Sequence, residues 1–452
     1  MPVRSLSFMR SVRSKTESIA LKLYGVLMQA ATPLLRRKLA RRAVAEPGYA
    51  KAIPERFGVY DQPPETSSDL LWVHAVSLGE TRTAAILLRA WRAACPGLRV
   101  LLTHGTATGR AEGASLLQPG DFQVWQPWDN RLAVERFLTH FKPRMGVLLE
   151  TEVWPQLMAA AQAKQVPVVL VNARLSAKSL AGAERRAWLA RPAYRALAAV
   201  YAQTEADALR LRQIGADVAG VFGNLKFDAR PDAAQQALAR QWRAQLQQSV
   251  LMLASSREGE ETAFIRQLVA QGVLGAAVSG VGPRLRVLIV PRHPQRFDIV
   301  QRLVEQQGLR VSRRSSWPDG PAQSAAAQQA DVWLGDTLGE MALYYSLSDL
   351  AMLGGSFEAL GGQNLIEPAA CACPVVMGPH TFNFAEAAVL AEAEGAARRV
   401  VDMAHGVQQA LALLRAPDDL QGAAVAAHQF AARHGGAAAR TVEALTPLLL
   451  PA

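Results

Sequence analysis

Short apolar runs alternate with amphipathic stretches along most of the chain after Pro47, and this alternation predicts strands and helices in turn. Runs that are apolar throughout are typical of strands buried on both faces of a parallel sheet. The first half of the chain has six such runs, at residues 70–76, 99–103, 145–149, 166–171, 198–202 and 218–222. The second half has five, at residues 249–254, 286–290, 331–334, 349–353 and 374–377. The pattern indicates an α/β fold with two parallel sheets.

The two groups of runs divide the chain into two domains. A length of 452 residues exceeds the roughly 250 to 300 residues at which a single core stops growing. Apolar content falls in residues 226–236, so we assign residues 46–228 to a first Rossmann-like, doubly wound domain and residues 229–452 to a second. We expect the two domains to face a cleft that holds a ligand. Residues 313–330 are rich in Ser, Ala, Gln and Pro, and we expect a solvated loop there.

Residues 1–45 follow a different pattern. Between Ser18 and Arg36, polar residues and a glycine recur every three or four positions, which predicts a helix with one narrow polar stripe and a wide apolar face. A basic cluster that ends at Arg42 follows directly. We expect this helix to lie on an anionic membrane, because its apolar stretch is shorter than the ~20 residues of a spanning helix. A helix that packs on the protein's own surface fits the same pattern.

Composition and charge limit the classes of partner and of chemistry that we expect for this chain. The 49 lysines and arginines exceed the 38 acidic residues, and the net charge of +11 favours anionic partners. No basic stretch is interleaved with aromatic residues that stack on bases, so nucleic-acid binding has little support. The three cysteines form no C-x-x-C pair, and the sequence has no D-x-D, H-E-x-x-H or Cys/His cluster. We therefore expect a reducing compartment and chemistry without a metal.

The run HAVSLGE, residues 74–80, joins the first predicted strand to an amphipathic helix. Ser77 and Glu80 fit a capping box, in which two side chains satisfy backbone N–H groups at the start of a helix. The carboxyl end of a parallel strand is also where open α/β sheets bind ligands, so Glu80 is placed to take a proton from a substrate. The run alone favours the cap.

Other polar residues also follow predicted strands. Glu150 and Glu152 come directly after the strand at 145–149, and Lys226 follows the strand at 218–222. In the second half, Arg292 and His293 follow the strand at 286–290. A guanidinium group at this position can bind a phosphate through several N–H donors at once. All of these side chains are expected at the ligand-binding edge of a sheet.

Glycine-rich runs follow three strands of the second half. Residues 254–261 (ASSREGEE) are a candidate phosphate-binding turn through Ser255 and Ser256, although ordinary capping explains them equally well. Residues 335–340 and 354–368 combine glycines with Asn364 and Glu367, which are one helical turn apart and placed to face a ribose or a base. No G-x-G-x-x-G fingerprint is present, so a nicotinamide or flavin cofactor is not expected.

Ten runs in a fixed order identify the family that the chain resembles. They are HAVSLGE, LLETEVWP, NARLS, FGNLKFD, EGEE, PRHPQRF, GDTLGE, GGSF, GGQNLIEPA and PVVMGPHTFNF, spread over residues 74–384. Each run is a weak signal alone, whereas ten in order are highly specific. In these runs the sequence resembles the 3-deoxy-D-manno-octulosonic acid (Kdo) transferases of Gram-negative bacteria.

The resemblance implies a glycosyltransferase of the GT-B type, with two Rossmann-like domains and an N-terminal membrane-associating helix, at the cytoplasmic face of the inner membrane. It implies an inverting reaction, without metal or cofactor, that moves Kdo from CMP-Kdo to a lipid A precursor (lipid IVA). By matching position, Glu80 is the proton acceptor, and Glu150 and Lys226 stabilise the transition state. The CMP-binding positions match Pro291, Arg292, Leu338, Gly339, Glu340, Asn364, Leu365, Ile366 and Glu367.

The resemblance also bears on the two roles of Glu80. A helix N-terminus favours the anionic form of a carboxyl group, so capping and proton acceptance are compatible, and we expect Glu80 to do both. Lys226 and Arg292 are expected to stabilise the leaving CMP phosphate. Three other interpretations fit the residues: a transferase that uses another nucleotide sugar, a nucleotide-sugar epimerase, and a membrane-docked module that only binds a nucleotide sugar.

Overall fold

The computed structural model describes residues 14–275 and 285–449. They form two compact units, one that runs to Asp228 and resumes at Gly435, and one that spans Ala229–His434. The change of unit after Asp228 coincides with the predicted domain boundary. The last helix of the chain differs from the prediction, because it belongs to the first unit and not to the second. Its residues Ala437, Val442 and Leu445 share an apolar cluster with the helix that follows the first strand.

The first unit is built on a seven-stranded parallel sheet. Its strands are β1 (Leu71–His74), β2 (Val100–His104), β3 (Phe122–Trp125), β4 (Met145–Leu149), β5 (Val168–Ala173), β6 (Ala199–Ala202) and β7 (Val218–Val221). They lie in the order β3-β2-β1-β4-β5-β6-β7. The chain moves outward from β1 in both directions, which is the doubly wound pattern, so ligands are expected at the carboxyl ends of β1 and β4.

Helices cover both faces of this sheet. In the described residues they are α1 (Lys15–Ala30), α2 (Thr32–Ala45), α3 (Leu78–Ala94), α4 (Ala107–Ala114), α5 (Arg131–Phe141), α6 (Pro155–Ala163), α7 (Ala177–Glu184), α8 (Ala187–Arg195) and α9 (Glu205–Gln213), with the C-terminal helix, Ala437–Leu449. Successive residues of β1 alternate between two apolar clusters: Trp72 packs in one, and Leu71 and Val73 pack in the other. The core therefore has two layers, one on each face.

The second unit repeats the plan with another seven-stranded parallel sheet. Its strands are β8 (Val250–Ser256), β9 (Arg286–Pro291), β10 (Val311–Arg313), β11 (Val332–Leu334), β12 (Leu350–Leu353), β13 (Val375–Met377) and β14 (Ala397–Arg399), in the order β10-β11-β9-β8-β12-β13-β14. The described helices are α10 (Ala233–Ala244), α11 (Glu260–Ala270), α12 (Phe297–Glu305), α13 (Ala325–Gln329), α14 (Met341–Leu347), α15 (Ile366–Ala370), α16 (Ala385–Ala393), α17 (Met403–Leu414) and α18 (Pro417–His434); the C-terminal helix is α19. The loops after β11, β9, β8 and β12 are neighbours.

Three strands that the apolar runs do not predict lie at sheet edges. These are β3 in the first sheet and β10 and β14, which form the two edges of the second. An edge strand has a neighbour on only one side, so it does not need to be apolar throughout. Accordingly, β10 has the sequence VSR and β14 has the sequence ARR.

Residues 313–330 do not form the solvated loop that their composition predicts. The side chain of Trp317 is completely buried, and its indole N–H donates to the Ser312 hydroxyl at 2.8 Å. Its ring meets that of Trp333 edge to face, with centroids 5.1 Å apart. Helix α13 lies in the same segment. The prediction is wrong because one large apolar residue anchors an otherwise polar stretch.

The predicted helix at residues 18–36 is two helices, α1 and α2, bent by 50° at Ala31. Within residues 14–275 and 285–449, no single helix is long and apolar enough to cross a membrane, and only this bent pair meets the criteria jointly. One side of α1 packs on the first unit, where Gln156 donates to the Leu21 carbonyl at 2.7 Å and Asn130 donates to Gln29 at 2.8 Å. The other side carries Ile19, Leu23, Val26 and Leu27, which are each 58 to 67% exposed.

Candidate functional site

Glu80 lies in the first turn of α3, directly after the turn that leaves β1. Ser77 is the N-cap of this helix, and its hydroxyl oxygen accepts from the Glu80 amide at 3.3 Å. The Glu80 carboxylate accepts from the Val76 amide at 2.9 Å and from the Ser77 hydroxyl at 3.1 Å. Glu80 therefore does cap the helix start, although its carboxylate bonds to the amide one residue before the N-cap.

Burial controls the charge of Glu80. The pKa of this carboxyl group is raised to about 7, mainly by burial and in part by the nearby carboxylates of Glu150 and Glu152, while the hydrogen bonds from Val76 and Ser77 oppose the rise. A helix N-terminus favours the ionised form of the group, and burial outweighs that effect. A carboxyl group with a pKa near the working pH is suited to general-base chemistry.

Glu150 follows β4, the neighbour of β1 in the sheet. It adopts a left-handed backbone conformation with φ of 60°, which is uncommon for a residue other than glycine. Its side chain is buried, and its two oxygens contact Arg174 Nη2 at 2.7 Å and Lys226 Nζ at 3.8 Å. Strained backbone conformations cluster at functional sites, and here the strained residue carries a carboxylate bridged by two cations.

Two anchors hold the 3₁₀ turn that carries Lys226. The Asn172 side chain, at the end of β5, accepts from the Leu225 amide at 3.0 Å. The carboxylate of Asp228 accepts from the Ala438 amide at 2.6 Å and also from the Gly436 amide. The first turn of α19 thus fixes one end of the Lys226 turn, and β5 fixes the other. This is why Lys226 lies beside Glu150, although it follows the edge strand β7.

Two further residues of this edge have contacts that the sequence does not reveal. Glu152 accepts from the Trp154 indole at 2.9 Å, and burial raises the pKa of its carboxyl group. Arg174 holds Glu150 through the contact given above. The sequence indicates a role for Glu152 and Arg174 only through their positions, since each follows a strand that is adjacent to β1 or β4. Within the described residues, no group of three or more His, Cys, Asp or Glu side chains is arranged to hold a metal ion.

In the second unit, the residues predicted to bind CMP lie on neighbouring loops. Pro291 ends β9 and is buried, whereas the Arg292 side chain is exposed and its amide donates to the Ser256 carbonyl at 3.1 Å. Glu367 raises the pKa of the buried Tyr345 hydroxyl, after burial as the main cause, and Arg292 lowers it. Arg292 and Glu367 are therefore both within electrostatic range of Tyr345, although one follows β9 and the other follows β12.

The loop after β11 presents Leu338 and Gly339 outward. Leu338 is 72% exposed, and Gly339 has φ of 79°, a conformation that favours glycine. Glu340 is held instead by Arg314 at 2.9 Å and by the Thr337 hydroxyl. Arg314 comes from the segment that the sequence predicts as a loop, so that segment supports the predicted CMP-binding edge.

Of the residues in the loop after β12 that are predicted to bind CMP, some lie near the surface and others lie in the core. Asn364 accepts from the Ile366 amide at 3.0 Å and so begins α15, with Glu367 in the first turn. Both of these side chains are half-buried. Leu365 and Ile366 are 1% exposed, so their side chains belong to the core. Asn364 and Glu367 are the two whose side chains are placed for polar contact.

Polar side chains of residues 254–261 form hydrogen bonds within the chain, which agrees with the ordinary capping that explains this run. Ser256 is fully buried and donates to Glu261 at 2.8 Å. Glu260 accepts from the amides of Arg257 and Gly355, each at 2.8 Å, and of Phe357 at 3.2 Å. The start of α11 therefore uses a carboxylate of the chain itself to join the loops after β8 and β12.

Comparisons with known proteins agree on family and fold. The family profile described as 3-deoxy-D-manno-octulosonic-acid transferase (kdotransferase) matches residues 51–229. A 3-deoxy-D-manno-octulosonic acid transferase of Bordetella pertussis is 44% identical over 93% of this chain and 98% of its own length. A UDP-GlcNAc 2-epimerase from Neisseria meningitidis aligns over 84% of this chain and 99% of its own with a TM-score of 0.54 at 16% identity. A glycosyltransferase from Rickettsia africae aligns over 86% and 100% with a TM-score of 0.51 at 11% identity. The last two share the fold, and the predicted GT-B class is confirmed.

Proposed function

The chain belongs to the 3-deoxy-D-manno-octulosonic acid (Kdo) transferase family and is a glycosyltransferase, and on this premise we propose its donor, its acceptor and its mechanism. The donor is CMP-Kdo, and the acceptor is a lipid A precursor such as lipid IVA. The reaction inverts the anomeric carbon of Kdo and uses neither a metal nor a cofactor. It takes place at the cytoplasmic face of the inner membrane.

The observation that carries the proposal is the state of Glu80. Its carboxyl group lies at the carboxyl edge of β1 and has a pKa raised to about 7 by burial. In a single displacement, the acceptor hydroxyl attacks the anomeric carbon of Kdo, Glu80 takes the hydroxyl proton, and CMP leaves with the electron pair of the broken bond. Attack from the face opposite the leaving group inverts the carbon. A base with a pKa near neutrality is matched to this step.

The cations at the two sheet edges support a reaction without metal. Lys226 lies 3.8 Å from Glu150, which holds its ammonium group at the edge of the first sheet. We assign Lys226 and Glu150 to the stabilisation of the transition state. Arg292, exposed at the edge of the second sheet, holds the CMP phosphate that becomes the leaving group. Fixed positive charges of this kind stabilise the negative charge on a leaving phosphate, as a divalent cation does in other enzymes.

The remaining predicted residues form the rest of the CMP site. Pro291 and the loop Leu338, Gly339 and Glu340 line one side, and Asn364 with Glu367 supplies polar contacts to the ribose or base. Leu365 and Ile366 contribute through backbone and packing, because their side chains are buried. Pairing of Glu340 with Arg314 supports a fixed loop on this side.

The N-terminal helices support attachment to anionic inner-membrane lipids. Helix α1 turns Ile19, Leu23, Val26 and Leu27 away from the first unit. Helix α2 adds exposed basic side chains, among them Arg37, Lys38 and Arg41. An apolar face beside a cluster of cations is the pattern of a helix that lies in the interface of an anionic membrane. We therefore propose an interfacial anchor, which keeps the enzyme beside a lipid acceptor.

Mass spectrometry of the product tests the proposal. Purified protein is incubated with a lipid A precursor and CMP-Kdo, and the proposal predicts a lipid that is heavier by one or more Kdo residues, with release of CMP. A parallel reaction without lipid tests for an epimerase, which would alter the sugar nucleotide without an acceptor. Parallel reactions with other nucleotide sugars test the donor. An unchanged lipid in the presence of bound CMP would contradict the proposed acceptor, and binding without any turnover would contradict the enzyme itself.

A further inference from the structure

The surface formed by α7, α8 and the turn between them is strongly basic. Residues 177–195, here called the α7–α8 surface, contain five lysine and arginine side chains, all exposed, and one acidic residue, Glu184. The carboxylate of Glu184 is half-buried and accepts from the Gln213 side chain at 2.8 Å. The surface therefore presents an excess of positive charge to solvent.

One face of α8 adds an aromatic side chain to this charge. Trp188, Arg191 and Arg195 follow one another at spacings of three and four, so they share the outward face of the helix. Ala193 and Tyr194 of the same helix are buried and belong to the core of the first unit. The Trp188 side chain is 49% exposed, whereas the other tryptophans of the described residues are buried or half-buried. About half of this large ring is therefore in contact with solvent.

Helix α8 is joined to α1 by an ion pair. Arg195 on α8 forms an ion pair with Glu17 in the first turn of α1. Ile19 and Leu23, which follow Glu17 on the same helix, are 58% and 61% exposed. The first unit thus exposes apolar side chains on α1, and cations and an amphipathic indole on α8, and the two helices are joined by this ion pair.

From this arrangement we infer that the α7–α8 surface is a second membrane contact, which binds anionic phospholipid headgroups with Trp188 inserted at the headgroup level. Tryptophan is enriched at membrane interfaces because its ring is apolar and its N–H is polar. Lysine and arginine side chains near an anionic leaflet each add to the attraction. The inference does not depend on the proposed reaction, and it adds a contact on α7 and α8 to the one proposed on α1 and α2.

Fluorescence quenching tests the inference directly. Full-length protein is mixed with vesicles of phosphatidylethanolamine and phosphatidylglycerol whose acyl chains carry bromine close to the headgroup. Because Trp188 is more exposed than the other tryptophans of the described residues, quenching is expected in the wild type and is expected to be largely lost in Trp188→Phe. Vesicles of phosphatidylcholine alone are expected to give little quenching. Equal quenching of the two proteins by the anionic vesicles would overturn the inference, because the quenched tryptophan would then lie elsewhere.

A charge variant tests the headgroup contact separately. Replacement of Arg185, Arg186 and Arg191 by Gln is expected to weaken partition to the anionic vesicles by roughly 100-fold, from about fivefold per cation. The matched control replaces the exposed Arg240, Arg266 and Arg302 of the second unit by Gln and is expected to partition as the wild type does. Equal partition of the two triple variants would overturn the inference. Acrylamide quenching of Trp188 without vesicles is a further control. If the protection of Trp188 from acrylamide increased with protein concentration, a second copy of the chain would cover this residue, and the inference would be overturned.

Discussion

The carboxylate of Glu80 accepts a hydrogen bond from the backbone amide of Val76 at 2.9 Å, so the proposed base is bonded to the turn that leaves β1. This bond fixes the direction of the carboxylate and opposes the effect of burial on its pKa. The net result is a carboxyl group with a pKa of about 7 at the edge where a doubly wound sheet binds ligands.

The pH dependence of transfer follows from this pKa. A general base acts in its deprotonated form, so kcat/KM is expected to rise through about pH 7 and then level off. Glu152→Gln removes a negative charge that raises the pKa of Glu80, so its profile is expected to shift to lower pH. Initial rates of Kdo transfer between pH 5 and pH 9 measure both profiles. A wild-type profile that is flat across neutrality would contradict the assignment.

Arg292→Gln tests the donor site. Loss of a charged donor to the CMP phosphate is expected to weaken CMP binding about tenfold to 100-fold, since hydrogen bonds to charged groups contribute roughly 1.5 to 3 kcal/mol. Calorimetric titration with CMP measures this effect without turnover. Arg302→Gln, an exposed arginine on α12 in the same unit, is the matched control and is expected to bind CMP as the wild type does. Equal affinity in the two variants would remove Arg292 from the site.

The apolar side of α1 gives a third prediction. Leu23→Glu combined with Val26→Glu is expected to reduce sedimentation with anionic vesicles by at least about 100-fold, because two apolar side chains lose their burial in the membrane. Both positions are exposed, so the fold and the melting temperature are expected to change little. Leu209→Glu with Val401→Glu alters two side chains that are 65% and 72% exposed elsewhere on the protein. If this control lost vesicle binding to the same extent, α1 would not be the anchor.

Trp317 gives a prediction about stability. Trp317→Ala removes a fully buried ring from the core of the second unit and is expected to cost about 3 to 5 kcal/mol, which lowers the urea midpoint. Asp319→Ala, at an exposed position of the same segment, is expected to have little effect. Similar midpoints for the two variants would restore the view of residues 313–330 as a solvated loop.

The central strands of both sheets could be predicted from the sequence, and three edge strands could not. A strand with neighbours on both sides is buried and leaves an apolar run, as at Leu71–His74. The edge strand Ala397–Arg399 does not need one. The membership of α19 in the first unit also escaped prediction, because it depends on Asp228 binding the amides of Gly436 and Ala438 across a long separation in the chain.

The candidate site could be predicted as positions but not as chemistry. Glu80, Glu150 and Arg292 are found where the sequence places them, directly after strands. The pKa of Glu80 could not be predicted, because it depends on burial and on two carboxylates from a neighbouring strand. The pairing of Arg174 with Glu150 joins residues that follow different strands, so it leaves no local signal in the sequence. The contact of Ser256 with Glu261 could not be predicted, because a serine before a helix looks the same whether it binds a ligand or a buried carboxylate.

The rate of Kdo transfer by Glu80→Gln tests the central claim most directly. The substitution keeps the size of the side chain and removes the base, so kcat is expected to fall by about 10²- to 10⁴-fold while CMP binding stays as in the wild type. Glu112→Gln, which removes a carboxylate paired at the surface with Arg82, is the matched control and is expected to keep the wild-type rate. Product mass spectra of the three proteins, taken from the same incubations with CMP-Kdo and a lipid A precursor, give the comparison. Transfer by Glu80→Gln at the wild-type rate would contradict the assignment of Glu80 as the base.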